Sequence, residues 1–183
     1  MKVLQILPQL NIGGVERGTL DLSKALIQKG HESFVISGGG ILVDELEKFG
    51  AKHYEIPVHI KSLRTLSLAK SLSETISSIH PDIVHIRSRM PAWVNYRAFK
   101  MLQKKPLLVS TFHGLYSFPI YSKVMSFVDH SIAISKTVEN YILENYKLDK
   151  NDITVIPRGC DPVEFNNYEI NPDDKAKIIN ELP

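Results

Sequence analysis

Residues 2–14 read KVLQILPQLNIGG, an apolar run that leads through a short loop into a pair of glycines. The run Lys2–Leu7 has the length and composition of a parallel strand that is covered on both faces. After Gly13 and Gly14 the apolar side chains recur with helical spacing, and Gly30 closes that pattern as a C-cap. The segment therefore predicts a buried strand that turns at two glycines into an amphipathic helix.

The same alternation of apolar runs and helical patterns continues along the chain. The predicted strands are Lys2–Leu7, His31–Ser37, Ala51–Ile56, Asp82–Ile86, Leu107–Phe112, Asp129–Ile134 and Asp152–Ile156. The predicted helices are Val15–Lys29, Val43–Phe49, Leu63–Ile79, Pro91–Lys104 and a helix from the N-cap Ser135 to about Tyr146. This spacing predicts right-handed crossovers and an α/β fold with a doubly wound, mainly parallel, Rossmann-like sheet.

The amino-acid composition limits which classes of protein and which kinds of partner are compatible with this chain. Of the 183 residues, 43% are hydrophobic and 23% are charged, which is typical of a folded domain. The net charge of +2 and the lack of a long basic stripe disfavour a nucleic-acid partner. A single cysteine, Cys160, excludes an internal disulfide and favours a reducing compartment, with the cytoplasm as default. No run approaches the roughly 20 apolar residues that span a bilayer, so any membrane contact is expected to be peripheral.

The composition changes after Phe165. Residues 166–183 are polar and contain two prolines and one weak helical signal. We therefore interpret residues 1–165 as one Rossmann-like domain. Residues 166–183 are interpreted as a linker or crossing helix that leads toward a second domain absent from this chain.

The residues just after each predicted strand carry the functional information, because ligands bind beyond the carboxyl ends of parallel strands. Gly13 and Gly14 open a helix whose unpaired N–H groups and positive dipole end favour an anion such as a diphosphate. A tight turn without a ligand explains the same glycines, and that alternative stays open. His113 follows the fifth strand, where it is placed to donate to a sugar hydroxyl or to balance a phosphate. A purely structural histidine is the alternative.

Arginines follow two other strands. Arg87 and Arg89 come after the fourth strand, where an extended segment would point both guanidinium groups to one side, toward a phosphate or an acidic sugar. Ordinary solvated loop charges are the alternative. Arg158 ends the last strand and is expected to line a cleft where the chain leaves the domain. The other six histidines lack metal-ligand spacing and are predicted to be structural or surface residues.

Several familiar sites are missing from the sequence. The loop after the first strand lacks G-x-G-x-x-G, and no acidic residue ends the second strand, so the dinucleotide fingerprint fails. The sequence contains no P-loop, no G-x-S-x-G nucleophile elbow and no H-E-x-x-H. The sequence therefore predicts no cofactor and no metal site.

The predicted helix Pro91–Lys105 combines aromatic and basic side chains. Trp93, Tyr96 and Phe99 alternate with four lysines and arginines. Such a surface can rest on anionic lipid headgroups. Alternatively, the aromatic residues form the core face and the lysines the solvated side, which is the commoner arrangement for a single helix.

Taken together, the strand-end loops resemble the amino-terminal domain of the retaining GT-B glycosyltransferases, in particular glycosyltransferase family 4. The resemblance covers about residues 1–165. Its parts are Gly13-Gly14-Val15-Glu16-Arg17-Gly18, Leu22-Ser23-Lys24-Ala25-Leu26, Pro81-Asp82-Ile83-Val84-His85, Ser110–Gly114, Ala133-Ile134-Ser135 and Val155-Ile156-Pro157-Arg158-Gly159-Cys160-Asp161. The order and placement of these strings carry the resemblance, since no single string is decisive.

The resemblance implies roles for particular residues. Gly13 and Gly14 would lie near the donor diphosphate, His113 would face the donor sugar as the catalytic histidine, and the domain would mainly hold the acceptor. Arg87 stands where the family often has a histidine, and Arg158 stands where it commonly has an asparagine. Basic residues at both positions suit an anionic acceptor, such as a phosphorylated or acidic sugar of a lipopolysaccharide core or a polyprenyl-linked glycan.

The implied function is the acceptor-side half of a retaining glycosyltransferase that moves a sugar from a nucleotide-sugar donor to a cell-envelope glycan or glycolipid. The sequence has no Asp-x-Asp motif, which fits a metal-independent reaction. The second domain's basic pair and Glu-x7-Glu motif are not found, so the chain is expected to be inactive until a separate carboxyl-terminal half completes it. A non-catalytic carbohydrate- or membrane-binding module is the alternative. An epimerase-like protein is disfavoured because the dinucleotide fingerprint fails.

Overall fold

The computed structural model describes residues 1–60, 68–117 and 119–159. Seven parallel strands form one sheet in the order β3-β2-β1-β4-β5-β6-β7. The strands are β1 Lys2–Ile6, β2 Glu32–Ser37, β3 Lys52–Glu55, β4 Ile83–Ile86, β5 Leu107–Phe112, β6 His130–Ala133 and β7 Ile153–Val155. The predicted strands and the doubly wound parallel sheet are confirmed, with strand ends that differ by at most one residue from the sequence-based bounds.

Helices connect the strands. They are α1 Gly14–Gln28, α2 Val43–Lys48, α3 Ala69–Ile79, α4 Arg89–Phe99, α5 Pro119–Ser122 and α6 Lys136–Tyr146, with 3-10 turns at Lys123–Ser126 and Lys150–Asp152. The N-cap prediction at Ser135 is confirmed, because its side chain accepts a hydrogen bond from the Val138 N–H. The predicted start of the third helix at Leu63 lies outside the described residues.

One helical prediction is wrong in its bounds, and one short helix was not predicted. Helix α4 ends at Phe99 rather than Lys104, because the Lys100 and Met101 N–H groups bond to carbonyls three residues back and turn the chain. Leu102, beyond that turn, lies in the core and is 8% exposed. The sequence pattern also missed α5 and the 3-10 turn that follows it, since four-residue turns are too short to show helical periodicity.

The core lies on both faces of the sheet because alternate strand residues point to opposite sides. On β1, Leu4 and Ile6 join the larger cluster, which includes Phe112 of β5. On the other face, Leu20 of α1 and Leu46 of α2 belong to a smaller cluster. This arrangement places α1 and α2 on the opposite side of the sheet from the larger core.

The aromatic face of α4 packs inward. Phe99 is buried, and Trp93 and Tyr96 pack partly buried against the larger core cluster. The Trp93 indole N–H donates to the Tyr121 carbonyl at 3.0 Å, and the Lys100 ammonium lies 4.2 Å from the centre of the Tyr96 ring. These contacts support the core-face interpretation of this helix. Within the described ranges, no helix combines the length and apolar character needed to cross a bilayer.

The loop after β1 is held in place by the loop after β2. The Gly38 N–H donates to the Pro8 carbonyl at 2.9 Å, and the Leu10 N–H donates to the Gly39 carbonyl at 2.8 Å. The Leu42 N–H in turn donates to the Leu10 carbonyl at 2.9 Å. The backbone that leads into Gly13 and Gly14 is therefore fixed by hydrogen bonds rather than by side-chain packing alone.

Gly40 permits the close approach of these two loops. Its φ of +141° is strained for other residues, and a Cβ there would collide with the backbone of Leu10. Gly30 also has a positive φ, +75°, but open space surrounds it.

We expect Gly30→Ala to cost about 1 to 2 kcal/mol of unfolding free energy, from the left-handed conformation alone. Gly40→Ala should cost about 3 kcal/mol or more, because overpacking adds to the strain.

Urea unfolding followed by circular dichroism measures both costs. Gly30→Ala serves as the matched control, since it tests the positive φ without the collision. Equal losses of stability in the two variants would show that the contact with Leu10 does not constrain the loop.

Candidate functional site

A cleft of about 760 Å³ runs along α1 from Gly14 to Gln28, and one end of it opens at the carboxyl ends of the strands. It lies beside the point where the strand order reverses, between β1 and β4, which is where open α/β sheets bind ligands. The residues that line it include Gly14, Gly18, Arg87, Thr111, His113 and Arg158. Four of these are residues that the sequence predicted for a functional site, and they come from the loops after β1, β4, β5 and β7.

Arg87 is buried at the end of β4, with 7% of its surface exposed. Its Nη1 donates to Oε1 of Gln5 at 2.9 Å, and no partner for its Nε–H lies in the described part of the chain. A Cβ on Gly18 would lie 3.1 Å from Nη2, so the glycine makes room for the guanidinium group. Burial, and then the charge of Arg158, lowers the pKa of Arg87 to about 10, while Glu16 opposes that shift. The group is therefore still a cation at neutral pH.

Gln5 anchors that guanidinium group from beneath α1. It is fully buried in β1, and its Nε2 donates to the Thr19 carbonyl at 3.2 Å and to Oγ of Ser23 at 2.9 Å. Oγ of Ser33 donates to Oγ of Ser23 at 3.0 Å. A polar network inside the sheet–helix interface thus positions a buried charge at the cleft.

Arg158 joins three loops. Its Nη1 donates to the carbonyl of Gly14 at the start of α1, and its Nη2 donates to Nδ1 of His113 at 2.9 Å. A Cβ on Gly14 would lie 2.5 Å from the same Nη1, so a larger residue there would displace this guanidinium group. The structure therefore brings Gly14, His113 and Arg158 into direct contact.

His113 is held neutral at the cleft. Burial, together with the positive charges of Arg87 and Arg158, lowers its pKa to about 3. Its Nε2 is buried, and the described residues offer it no hydrogen-bond partner. A neutral imidazole with an unused ring nitrogen can bind an uncharged sugar group or a phosphate oxygen.

His85 is the buried neighbour that the sequence did not single out. It is 6% exposed, and its Nε2 lies 2.7 Å from Oγ1 of Thr111. Burial, followed by the charge of Arg87 and the proximity of His113, lowers the pKa of His85 to about 3. Its structural role was predicted, but its contact with the site was not, because β4 and β5 pair only in three dimensions.

The N-terminus of α1 holds a carboxylate of this chain. Gly13 is the N-cap residue and provides no side-chain cap, and the carboxylate of Glu16 folds back to contact it. A negative group in the first turn is favoured there by the helix dipole. Gly13 and Gly14 therefore lie where an anion is stabilised, and their role toward a diphosphate stays a prediction.

Arg89 lies apart from the other arginines. It is the first residue of α4 rather than part of an extended segment, so the expectation that it shares a side with Arg87 is wrong. Its guanidinium carbon lies 4.8 Å from the centre of the Tyr116 ring and 5.6 Å from that of Tyr121, and its Nη1 donates to Oγ of Ser122 at 3.4 Å. Arg89 therefore fastens the segment after β5 to α4 and is not a lining residue of the cleft.

The described residues contain no group of three or more His, Cys, Asp or Glu side chains arranged to hold a metal ion. Sequence reasoning missed Gln5, His85, Thr111, Gly18 and Glu16. One signal was present, since a glutamine within an apolar strand must find buried partners.

Comparison with known proteins identifies relatives that transfer sugars. A family model described as Glycosyltransferase Family 4 matches residues 12–164. A solved glycosyltransferase from Rickettsia africae is 37% identical and superposes with a TM-score of 0.77, over 98% of this chain and 48% of its own.

Two further relatives are more distant. HepE from Anabaena, solved in complex with UDP and glucose, is 18% identical with a TM-score of 0.72, over 99% of this chain and 50% of its own. One subunit of the human phosphatidylinositol N-acetylglucosaminyltransferase is 24% identical over 92% of this chain and 38% of its own length. The chain thus spans about half the length of the solved relatives and less of the human one.

Two histidines at the site, the buried His85 and the half-buried His113, predict acid sensitivity. Both are neutral in the folded protein down to a pKa of about 3, whereas the unfolded chain takes up their protons below about 6.5. The unfolding free energy should therefore be insensitive to these groups above pH 6.5 and fall as the pH drops from 6.5 toward 3. Each histidine contributes a slope of about 1.4 kcal/mol per pH unit in that window.

Replacing one histidine tests this linkage. His85→Gln should remove about 1.4 kcal/mol per pH unit from the acid-side slope, whatever it does to stability at pH 7. Urea unfolding at several pH values gives the slope, and His31→Gln, at a site outside the cleft, is the control. An unchanged slope in His85→Gln would contradict the prediction.

Proposed function

Because the chain belongs to glycosyltransferase family 4, we propose that it forms the acceptor-side half of a retaining, metal-independent enzyme that transfers a sugar from a nucleotide-sugar donor to a glycan or glycolipid of the cell envelope. One observation carries the proposal. Gly14, His113 and Arg158 meet in one hydrogen-bonded group at the rim of a cleft, beside the reversal of strand order. That group supplies what one wall of a sugar-transfer site requires, namely cationic and neutral donors toward a diphosphate and a sugar.

The donor diphosphate is proposed to lie at the start of α1. The Glu16 carboxylate lies against Gly13 at this end of α1, so a diphosphate would take the place of that carboxylate. Helix α1 is 15 residues long, and its dipole favours an anion there. Arg158 is fixed directly over Gly14 and adds a full positive charge. Solved HepE, which is similar in fold, carries UDP and glucose, which supports a nucleoside-diphosphate sugar as the donor here.

The donor sugar is proposed to lie against His113. The side chain follows β5 and remains neutral, because its pKa is lowered to about 3, so it acts through a hydrogen bond rather than a charge. Cleavage of the bond between sugar and diphosphate builds negative charge on the leaving group. Preorganised cations and helix dipoles stabilise that charge without reorganisation. Arg158 and α1 provide this from one side, and the proposal assigns the other side to a carboxyl-terminal half.

The acceptor is proposed to carry a negative group. Arg87 and Arg158 repel each other, and neither forms an ion pair with a carboxylate within the described ranges. A phosphorylated or acidic sugar, or a lipid phosphate, would relieve that repulsion. The name of the human relative includes phosphatidylinositol, a phosphate-bearing lipid, which supports an acceptor of this class.

A lipid-linked acceptor would bring the rim toward a bilayer. Leu115 and Ile120, which are 59% and 90% exposed, are suited to rest on that bilayer.

A carbohydrate-binding module without transfer is the second candidate. The contacts among Gly14, His113 and Arg158 are complete within this chain and need no second wall to form. Such a preformed group can bind a sugar phosphate without a second domain, so binding by itself does not distinguish the two candidates. Transfer of a sugar to an acceptor distinguishes them.

A complementation assay separates these candidates. The full chain is incubated with UDP-glucose and a glycolipid extract, with or without the carboxyl-terminal half of the Rickettsia africae glycosyltransferase. We expect sugar transfer only when both halves are present, and a loss of about 100-fold in the His113→Ala variant, which lacks one stabilising donor. His31→Ala is the control. Transfer by the chain alone, or an undiminished rate in His113→Ala, would contradict the proposal.

The anionic acceptor is tested on the complemented enzyme. Arg87→Ala and Arg158→Ala should each raise the KM for a phosphorylated acceptor about tenfold or more, since each removes a charge-assisted hydrogen bond. The same acceptor after phosphatase treatment should lose this dependence. Arg97→Ala, an exposed arginine on α4, is the matched control. Unchanged KM values for both acceptors in the first two variants would rule out an anionic acceptor at this place.

A further inference from the structure

We infer that Arg158 holds His113 in the neutral tautomer that carries its proton on Nε2, which makes His113 a hydrogen-bond donor to the ligand in the cleft. The tautomer follows from geometry alone. The part that concerns the ligand deepens the proposed function and rests on it. Arg158 is a positioning residue in this arrangement, because it acts through His113.

The contact between the two side chains has only one possible direction. Nη2 of Arg158 lies 2.9 Å from Nδ1 of His113. A guanidinium group has five N–H donors and no acceptor, so Nδ1 must supply a lone pair and cannot bear a proton. A neutral imidazole carries one proton, which is therefore on Nε2.

The charged and titratable groups around His113 keep the ring neutral. Arg87 from the loop after β4 and Arg158 from the loop after β7 are both positive, and His85 on β4 is itself a buried neutral ring. Tyr116 lies near the His113 backbone, and within the described residues no hydrogen bond joins its hydroxyl to the His113 ring. Glu16 and Asp21 act on Arg87. A second proton on His113 would add a third cation to this group, which the surroundings oppose.

The proton on Nε2 has no acceptor within the described part of the chain. Nε2 has almost no accessible surface, so an acceptor oxygen of a ligand reaches it only when neighbouring side chains move aside. The Nε–H of Arg87 is a second buried donor that has no acceptor among the described residues. Two unsatisfied donors in one cleft favour a ligand that presents acceptor oxygens, either hydroxyl lone pairs or phosphate oxygens. They disfavour an ammonium group at this point, because it would meet only donors and positive charge.

Substitutions at position 158 separate this role from simple packing. A glutamine is two bonds shorter and uncharged, so it removes the fixed donor at Nδ1 and permits either tautomer of His113. A lysine has donors only and retains the positive charge, so it should preserve the tautomer. Arg158→Gln and Arg158→Lys therefore form a matched pair. Both variants change the packing, but only Arg158→Gln loses the donor-only character.

The experiment is nitrogen-15 NMR on the full chain, with long-range proton–nitrogen correlations of the histidine rings between pH 5 and 8. The His113 signals are assigned by their loss in His113→Asn. In the wild type we expect the proton on Nε2 and no titration across this range. Arg158→Lys should look the same. Arg158→Gln should show the Nδ1–H tautomer or a titration that enters the range, since one positive charge and the fixed donor are both lost.

Arg89→Gln is the control for the loss of an arginine, because Arg89 contacts Tyr116 and Tyr121 instead of His113. Circular dichroism confirms that each variant is folded. A wild-type His113 with its proton on Nδ1, or an Arg158→Gln spectrum identical to the wild type, would overturn the inference.

Adding UDP-glucose with the carboxyl-terminal half tests the ligand part. A shift of the Nε2 signal in the wild type is expected. If the proton is on Nε2 as expected but its signal does not shift when the ligand is added, the donor role of His113 is overturned. That result would also count against the proposed function. A wrong tautomer alongside normal sugar transfer would overturn the inference and leave the proposed function standing.

Discussion

The guanidinium group of Arg158 joins the last loop of the sheet to the first and brings three loops at one end of the cleft into contact. Seven parallel strands bring seven carboxyl ends to one rim, but a shared rim does not by itself bring side chains into contact. Hydrogen bonds from one side chain to the Gly14 carbonyl and the His113 ring do so. Because both bonds start from one planar group, they also fix the orientation of the His113 ring relative to α1.

A second feature of the site is a layer of buried polar side chains around Gln5, which holds Arg87 in position. Gln5 occupies the middle of an apolar strand and is fully buried, where a leucine would pack without hydrogen-bond requirements. Its amide satisfies the Thr19 carbonyl and Ser23 on one side and Arg87 on the other. A buried charge that is anchored by a neutral amide, rather than paired with a carboxylate, keeps its field available to the cleft. The sheet–helix interface thus serves the site as well as the core.

The sequence predicts the frame of this protein better than its contacts. Apolar runs such as Lys2–Leu7 locate buried strands, and strand-end positions locate Gly14, His113 and Arg158 at the rim, because parallel topology follows from alternation. The pairing of Arg158 with Gly14 joins residues 144 positions apart, which no local pattern encodes. Arg89 was misplaced for a local reason, since the helix begins two residues before the proline that suggested its start.

Two arginines lie close together in one wall of the cleft, and carboxylates on α1 offset part of their repulsion. Burial and the charge of Arg158 lower the pKa of Arg87, but only to about 10, so the cationic form still dominates at neutral pH. Glu16 and Asp21, both on α1, act in the opposite direction and offset part of the repulsion. The Glu16 carboxylate also lies against Gly13, at the helix end that favours negative charge. An anion that enters the cleft therefore meets a field already partly balanced, and it must offer more than charge, namely oxygens that reach the unused N–H groups of Arg87 and His113.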